Sequence, residues 1–322
     1  MNKSKLISII LAASLTLSMA SILSSCNTSG NTDTDNTTTE EATTIAPEET
    51  TTIAPEETTN AVATQKSEYS ITVQSEGQLP LANVEFEVYG DSELKTLKAH
   101  GETNSAGKDK VKLVEGATYY LKLLSAPDGY EFESSYVIES KDTQITLKSY
   151  IREKAPESDF TYQLGDVVHN FTLSGSGDNA VTVKDALDTY GCLVLNFWYI
   201  GCAPCKMEFP YIQSAYEKYS DKVGFYAING VAAESQTDID NFKAQNGYTF
   251  NMSRVDSSLV NLFGVPAFPT TVVIDKYGVI CFVETGSLPE EAPFINIFDH
   301  FSNPAYSKTT LFKSLEEIPV KE

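Results

Sequence analysis

The chain has 322 residues, of which 41% are hydrophobic and 11% aromatic, which is enough apolar material to build packed cores. Its formal net charge of −21 at pH 7 argues against binding to nucleic acid and against simple adsorption to an anionic lipid surface. Five cysteines are too few for a scaffold that depends on disulfides. The length predicts about two globular domains.

The first 26 residues have the pattern of a secretory signal. Lys3 and Lys5 precede a stretch with almost no charge, and small residues then lead to Cys26. The apolar stretch is interrupted by serines and is shorter than the roughly 20 residues that a spanning helix needs. Its Leu-Ser-Ser-Cys ending resembles the bacterial lipoprotein signal, in which the cysteine is acylated and becomes the first residue of the mature chain. We therefore expect Cys26 to be lipidated and to hold the protein on the extracytoplasmic side of the cell membrane; an uncleaved anchor and plain secretion are the alternatives.

Residues 27–66 are predicted to be a disordered linker. The segment is rich in Thr, Glu and Pro and contains an eight-residue repeat, Thr43–Thr50 and Thr51–Thr58. Low hydrophobicity and like charge leave nothing to offset the chain entropy. Such a linker spans about 35 Å as a coil or about 120 Å when extended. It is equally well interpreted as a tether that lifts the folded part from the membrane and as a spacer without a required length.

Residues 67–150 have an all-β pattern. The segment Val84–Tyr89 alternates apolar and polar residues, as a half-buried strand does. Turn signals separate it from five further strand candidates: Tyr69–Gln74, Lys110–Val114, Thr118–Leu124, Tyr136–Glu139 and Gln144–Leu147. Short strands at this spacing predict a small sandwich.

Three stretches of this region, residues 80–86, 103–107 and 119–130, resemble the SpaA/Cna-B type of surface-protein stalk domain. The resemblance implies a prealbumin-like sandwich. Many members of that family contain a Lys–Asn isopeptide bond promoted by a buried Glu. The first strand here offers no obvious Lys between Ile71 and Gln74, and Leu123 stands where the Glu is expected. We therefore expect no isopeptide bond and a role as a spacer or interaction module.

Residues 155–303 alternate between strand and helix patterns. Leu193–Trp198 is a nearly continuous apolar run, typical of a buried parallel strand. The predicted order continues with the helix Cys202–Tyr219, the strand Val223–Asn229, the helices Gln236–Gln245 and Ser257–Phe263, the hairpin Thr270–Ile274 and Val279–Glu284, and the helix Pro289–Phe301. This order predicts an α/β domain. No element is assigned to the extension 304–322.

Cys202-Ala203-Pro204-Cys205 follows the apolar strand and opens the next helix. A helix N-terminus stabilises a thiolate, and two intervening residues let the second sulfur reach the first. Pro204 suits the first helical turn, where no N–H donor is needed. Zinc would require a second Cys or His pair, whereas the remaining candidates are isolated in sequence: His100, His169, His300, Cys192 and Cys281. We expect a redox dithiol, no metal and no other cofactor.

The stretches 165–173, 195–210 and 264–278 resemble the TlpA/ResA-like branch of the thioredoxin superfamily. The fold class that follows is an all-β prealbumin-like sandwich followed by an α/β thioredoxin-like fold. The resemblance implies that Cys202 is the exposed nucleophile and Cys205 the buried resolving thiol. It also implies that Pro269 is a cis-proline facing the dithiol and forms a substrate-binding surface with Phe268 and Trp198.

Glu208 is the third catalytic candidate. It follows Cys205 by three residues and so shares a helix face with it. In the resembling proteins a Glu at this place lies beside the dithiol, where a carboxylate would raise a thiol pKa and could move a proton. A solvated helix Glu is the alternative.

Some residues depart from the family pattern. Gly201 replaces a common aromatic residue, Tyr199 and Ile200 replace smaller ones, and Asn196 replaces the buried Asp of thioredoxin, as is usual in this branch. These changes affect the expected substrate contacts but not the exchange chemistry. Cys192 and Cys281 are expected in strands that are not neighbours, and hence unbonded to each other.

The functional prediction is an extracytoplasmic, membrane-anchored thiol–disulfide oxidoreductase that reduces protein disulfides and is recharged by a membrane donor of the CcdA/DsbD type. A thiol peroxidase is one alternative, although no Pro-x-x-x-Thr-x-x-Cys array precedes Cys202. A surface-binding module with an inactive thioredoxin domain is the other alternative.

Overall fold

A computed structural model describes residues 65–157, 159–175 and 177–321. The signal segment, Cys26 and nearly all of the predicted linker lie outside these ranges. In the part of the chain that is described, no helix has the length and apolar character needed to cross a bilayer.

The first domain is a sandwich of two four-stranded sheets. Its strands are β1 (Lys66–Ser75), β2 (Glu85–Tyr89), β3 (Leu97–Glu102), β4 (Lys108–Val114), β5 (Tyr119–Leu123), β6 (Tyr130–Glu131), β7 (Tyr136–Ile138) and β8 (Asp142–Ser149). One sheet has the order β4-β1-β8-β6 and the other has the order β3-β2-β5-β7. The predicted prealbumin-like sandwich is confirmed.

Alternating burial explains why most of these strands could be predicted from the sequence. In β8 every second residue from Ile145 onward is buried, and in β5 Tyr119, Leu121 and Leu123 point into the core. Strands β3 and β6 were missed. In β3 the only buried residue is Gly101, so no apolar alternation marks it, and β6 has just two residues.

The second domain has a five-stranded sheet with helices. Its elements are β9 (Thr172–Ser174), β10 (Val181–Thr182), α1 (Val183–Thr189), β11 (Cys192–Phe197), α2 (Ala203–Tyr219), β12 (Val223–Asn229), α3 (Gln236–Asn246), β13 (Asn251–Arg254), α4 (Ser257–Leu262), β14 (Thr270–Asp275), β15 (Ile280–Thr285) and α5 (Glu291–Phe301). The sheet order is β13-β12-β11-β14-β15. Strand β11 is parallel to β12 and antiparallel to β14. The predicted thioredoxin-like order is confirmed.

Three elements of this domain were not predicted: the small β9–β10 ladder, α1 and β13. Strand β13 is short and polar, and it is a strand because it pairs with the exposed edge of β12. Helix α1 has a capping box between Thr182 and Asp185, a signal that could have been read from the sequence.

Cys192 and Cys281 are free and buried. They lie in β11 and β15, which flank β14 on opposite sides, as the sequence predicted. Burial raises the pKa of both thiols well above the usual value, which makes both poor nucleophiles.

The C-terminal extension, unplaced by the sequence, joins the two domains. The Phe312 N–H donates to the Cys281 carbonyl (2.9 Å) and the Thr309 N–H donates to the Gly77 carbonyl in the first domain (2.7 Å). A Cβ at Gly77 would lie 2.2 Å from the Thr309 hydroxyl, so only glycine permits this approach. The extension is therefore a structural link between the sandwich and the edge strand β15.

The sandwich packs on the end of the central sheet that lies opposite the dithiol. Asp275, which ends β14, pairs with Cys192 at the start of β11, whereas Cys202 follows the other end of β11. Arg152 and Asp128 form an ion pair (2.6 Å) next to this interface. Because β11 has six residues, the length of the sheet, about 20 Å, separates the interface from the dithiol.

Candidate active site

The dithiol lies where strand β11 gives way to helix α2. Cys202 is the N-cap of α2, and its sulfur accepts a hydrogen bond from the Cys205 N–H (3.1 Å). The two residues form a disulfide, with Cα atoms 5.3 Å apart. Pro204 occupies the first turn, where a missing N–H costs nothing. The free N–H groups of this turn face the sulfur and can stabilise a thiolate once the bond is reduced.

The expected exposure of Cys202 is not observed in this disulfide-bonded form. Its exposed fraction is 2%, and that of Cys205 is 0%. Tyr199 and Ile200, the two residues that replace smaller ones, are half-buried and pack against the core that contains both cysteines. The neighbouring Gly201, Ala203 and Pro204 are the exposed positions at the site.

Pro269 follows a cis peptide bond, as the resemblance implied. Its carbonyl accepts the Gly286 N–H (2.9 Å). Phe268 is half-buried, and its ring packs edge-on against Tyr199, with centroids 5.5 Å apart. The structure thus places Phe268 beside the loop that precedes Cys202.

Trp198 is not part of a substrate surface in this conformation, which corrects the prediction. Its side chain is fully buried and packs against Phe209 and Phe242, with ring centroids 5.0 Å and 5.1 Å away. The side chain therefore packs between α2 and α3. Trp198 is a core residue.

Glu208 lies on the buried face of α2, one turn after Cys205, and is completely buried. Its Oε1 accepts the side-chain N–H of Asn196 (2.8 Å) and its Oε2 accepts the Leu288 N–H (2.9 Å). Burial raises the pKa of Glu208 to about 7, and these two hydrogen bonds oppose part of that rise. A group with such a pKa can accept and release a proton near neutral pH.

Asn196 connects Glu208 to the sheet. Its amide also donates to the Thr271 hydroxyl (3.1 Å), and its Oδ1 has no hydrogen-bond partner among the described residues. The amide therefore supplies a hydrogen-bond donor to the carboxylate at the position where thioredoxin has an acid.

Sequence reasoning missed the residues that support the loop before Cys202. The carboxylate of Glu234, in the β12–α3 loop, accepts the Ile200 N–H (2.9 and 3.1 Å) and the side-chain N–H of Asn229 (2.5 Å). Nothing in the local pattern relates Glu234 to a residue 34 positions earlier, so no sequence signal was available without the fold.

The described residues contain no cluster of three or more His, Cys, Asp or Glu side chains that could hold a metal ion. The chemistry that this arrangement can perform is thiol–disulfide exchange: a thiolate attacks a disulfide sulfur, and the second thiol releases the mixed disulfide.

Comparison with known proteins agrees with this geometry. Residues 164–283 match the AhpC/TSA family and residues 68–155 match the SpaA prealbumin-like fold domain. The thiol-disulfide oxidoreductase ResA of Bacillus subtilis (strain 168) is 32% identical over 128 residues, which cover 39% of this chain and 69% of that protein. The thioredoxin-like protein YneN of the same organism is 28% identical over 131 residues, covering 40% and 75%.

A crystal structure of a putative thiol:disulfide interchange protein DsbE from Chlorobium tepidum also matches, with 28% identity, a TM-score of 0.35, and coverage of 40% of this chain and 89% of that chain. The chain belongs to the ResA-like thiol-disulfide oxidoreductases of the thioredoxin superfamily, here with a SpaA-type prealbumin-like domain in front.

Proposed function

We propose that this protein is a disulfide reductase that works on the extracytoplasmic side of a membrane, held there by a lipid on Cys26. The observation that carries the proposed direction is the buried Glu208 one turn after Cys205. A carboxylate beside a dithiol opposes formation of the thiolate. Strongly oxidising members of the superfamily are oxidants because their reduced form is stabilised, and Glu208 acts in the opposite sense.

The substrates in this proposal are protein disulfides presented on an extended segment. Phe268 precedes the cis bond, and its backbone N–H and C=O have no partner among the described residues. The backbone at this position is therefore available to pair with a substrate strand. Exposed apolar side chains nearby, such as Met207 with 61% of its surface exposed, favour an unfolded or flexible partner over a small polar thiol.

The first 26 residues support the proposed location of the protein at the membrane. Their basic head, apolar stretch and Leu-Ser-Ser-Cys ending are typical of lipoprotein signals. A reductase outside the cytoplasm needs a source of electrons, and we propose a membrane donor of the CcdA/DsbD type. The second domain would then alternate between that donor and the substrate, each through a mixed disulfide with Cys202.

The direction is tested by equilibrating the full-length chain, purified in detergent, with glutathione and dithiothreitol buffers. A reductase is expected near the thioredoxin potential of about −270 mV, and a value near about −120 mV would mean an oxidase and overturn the direction. Insulin reduction should disappear in Cys202→Ser, whereas Cys192→Ser serves as the matched cysteine control and should retain it. Peroxide consumption by the reduced protein would indicate a thiol peroxidase instead.

The anchor is tested separately in cells that express the full chain. Metabolic labelling with a fatty acid should mark the wild type and not Cys26→Ala, and the variant should leave the membrane fraction. Label on Cys26→Ala, or membrane retention without label, would overturn the lipidation proposal and leave the redox assignment unaffected.

A further inference from the structure

The turn that leads into the dithiol has an unusual support. Residues 199–202 form a turn in which the Cys202 N–H donates to the Tyr199 carbonyl (3.0 Å). The N–H of the second turn residue, Ile200, points away from that bond. Both carboxylate oxygens of Glu234 lie within hydrogen-bond distance of it, at 2.9 and 3.1 Å. The group that supports the turn is therefore an acid, and the N–H that it accepts lies two residues before the nucleophile.

Glu234 is itself held in place. Its Oε2 accepts from Asn229, a fully buried residue at the end of β12. The Asn229 side-chain oxygen accepts the Val231 N–H (3.0 Å), which fixes the loop between β12 and α3. The carboxylate of Glu234 thus connects the turn that contains Ile200 to the end of β12, where Asn229 lies.

The negative charge of Glu234 has no ion-pair partner within 4 Å among the described residues. Arg254 on β13 is adjacent, but its Nε donates to the backbone carbonyl of Glu234 (2.9 Å) and not to the carboxylate. Lys243 on α3 lines a surface groove together with Glu234 and Arg254. Glu208 lies on α2, one turn after Cys205. Lys206, on the first turn of α2, is exposed, and its backbone N–H donates to the Cys202 carbonyl (3.2 Å). The carboxylate of Glu234 is therefore the charged group that contacts the turn on its loop side.

We propose that Glu234 is a positioning residue for thiol–disulfide exchange: its carboxylate fixes the turn that presents Cys202 and keeps a negative charge beside it, which lowers the thiolate fraction of the reduced nucleophile. An uncharged acceptor could support the turn equally well, so the choice of an acid has a chemical consequence. The inference needs only the exchange reaction and is independent of the proposed direction, substrate and anchor.

The test compares Glu234→Gln with the wild type in the full-length reduced chain. Gln retains an oxygen that can accept from Ile200 and Asn229, but it lacks the charge. Alkylation of Cys202 by iodoacetamide at pH 7, with the modified residue identified by mass spectrometry, is expected to be about two- to threefold faster in the variant. The midpoint of the alkylation pH profile should move to lower pH.

The glutathione equilibrium provides a second measurement. Above the midpoint of the alkylation profile, the reduced form of Glu234→Gln should be favoured by about threefold over that of the wild type. Well below that midpoint the two proteins should agree, since a protonated thiol carries no charge for Glu234 to repel. A merely structural role for Glu234 would not produce this dependence on pH.

The matched control is Glu217→Gln. Glu217 is an exposed acid on α2 that accepts from Gln213, and it lies about 20 Å along the helix from Cys202. Its variant should follow the wild type in both assays. Equal profiles for Glu234→Gln and the wild type would overturn the proposal. If the Gln variant does not fold, Glu234→Asp keeps the charge and should keep the wild-type profile; a shift in Glu234→Asp would also overturn it.

Discussion

Two fully buried carboxylates stand at opposite ends of the central sheet, and they differ in how many hydrogen bonds they accept. Glu208 lies at the dithiol end and accepts two, from Asn196 and Leu288. Asp275 lies at the end that packs on the sandwich and accepts four. Burial raises the pKa of both. The same chemical group therefore accepts two hydrogen bonds at the end proposed for chemistry and four at the end that packs on the sandwich.

The donors to Asp275 come from two parts of the chain. The N–H groups of Tyr277 and Val279 close the β14–β15 turn at 2.9 and 3.1 Å. The hydroxyls of Tyr306 and Thr309 belong to the C-terminal extension, at 3.2 and 2.8 Å. Each is a neutral donor that satisfies an acceptor-only group, so the carboxylate ties the extension to the turn. Nothing in this arrangement can move without leaving a buried acceptor unpaired.

Glu208 has a looser arrangement. One of its two partners, Asn196, has a side-chain oxygen without a hydrogen bond among the described residues, and the other is a backbone N–H in the loop before α5. A buried polar atom without a hydrogen-bond partner is uncommon in folded proteins and needs an explanation, and the proton exchange proposed for Glu208 supplies one. The comparison teaches that the number of donors, not burial, separates the carboxylate proposed to exchange protons from the one that holds the fold together.

The largest expected effect comes from removing the structural carboxylate. Asp275→Ala leaves two hydroxyls and two N–H groups without their acceptor, so the free energy of unfolding should fall by about 3–5 kcal/mol. Urea unfolding of the full chain, followed by fluorescence of its single tryptophan, measures this loss. The exposed Asp188→Ala should stay within about 0.5 kcal/mol, and a loss below about 1 kcal/mol for Asp275→Ala would contradict the scaffolding role.

The next effect concerns the pH dependence of stability. Because the pKa of Glu208 is raised to about 7 in the folded protein, the folded state holds a proton there that the unfolded state releases near pH 4.5. The protonated carboxyl of Glu208 therefore makes its full contribution to the free energy of unfolding below pH 4.5. That contribution falls as the pH rises to 7, by about 3 kcal/mol at most. Glu208→Gln cannot titrate, so its stability should lack this decline.

Unfolding of the wild type and Glu208→Gln, measured at intervals between pH 4.5 and pH 7.5, checks this difference. Asp188→Asn serves as the control, because an exposed acid should leave the wild-type curve unchanged. Parallel curves for Glu208→Gln and the wild type would mean that Glu208 does not titrate in this window. The rate of insulin reduction by Glu208→Gln should likewise lose its inflection near pH 7.

A smaller effect should follow from removing a hydrogen-bond donor at the dithiol end of the sheet. Asn196→Asp replaces the donor to Glu208 with a second acid, so the two carboxyl groups must share a proton. We expect a loss of about 2 kcal/mol at pH 8.5 and much less at pH 6, measured by urea unfolding at the two pH values. The exposed Asn246→Asp is the control, and an equal loss at both pH values would count against the shared proton.

The smallest effect tests a single donor at the structural end. Tyr306→Phe removes one bond to Asp275 and the acceptor of the Thr310 N–H (3.1 Å), which should cost about 1 kcal/mol. The loss should be non-additive with Asp275→Ala, and insulin reduction should be unchanged. The exposed Tyr211→Phe is the matched control; a changed exchange rate in Tyr306→Phe would show that the two ends are coupled.

Much of the architecture was predictable because its signals are local. Apolar runs and alternation located β11, β12 and β14 to within a residue, and the two-residue spacing at a strand-to-helix junction located the dithiol. The cis bond before Pro269 followed from the family resemblance. Strand β13 could not be predicted, because its polar residues form a strand only through pairing with β12.

The support of the site could not be predicted, because its contacts join distant residues. Glu208 meets Leu288 across 80 positions and Ile200 meets Glu234 across 34. Trp198 was misassigned for a related reason: the family resemblance placed it on the substrate surface, but only the packing of Phe209 and Phe242 shows that its ring belongs to the core.

The sequence by itself determined the two-domain order and the chemistry, since a dithiol at a helix N-terminus needs only neighbouring residues. It did not determine how many hydrogen bonds each buried acid accepts. That was decided by the tertiary structure, because the pKa and role of a buried carboxylate depend on donors that the fold brings from other elements. The fold places two hydrogen-bond donors around Glu208, near the dithiol, and four around Asp275, near the sandwich.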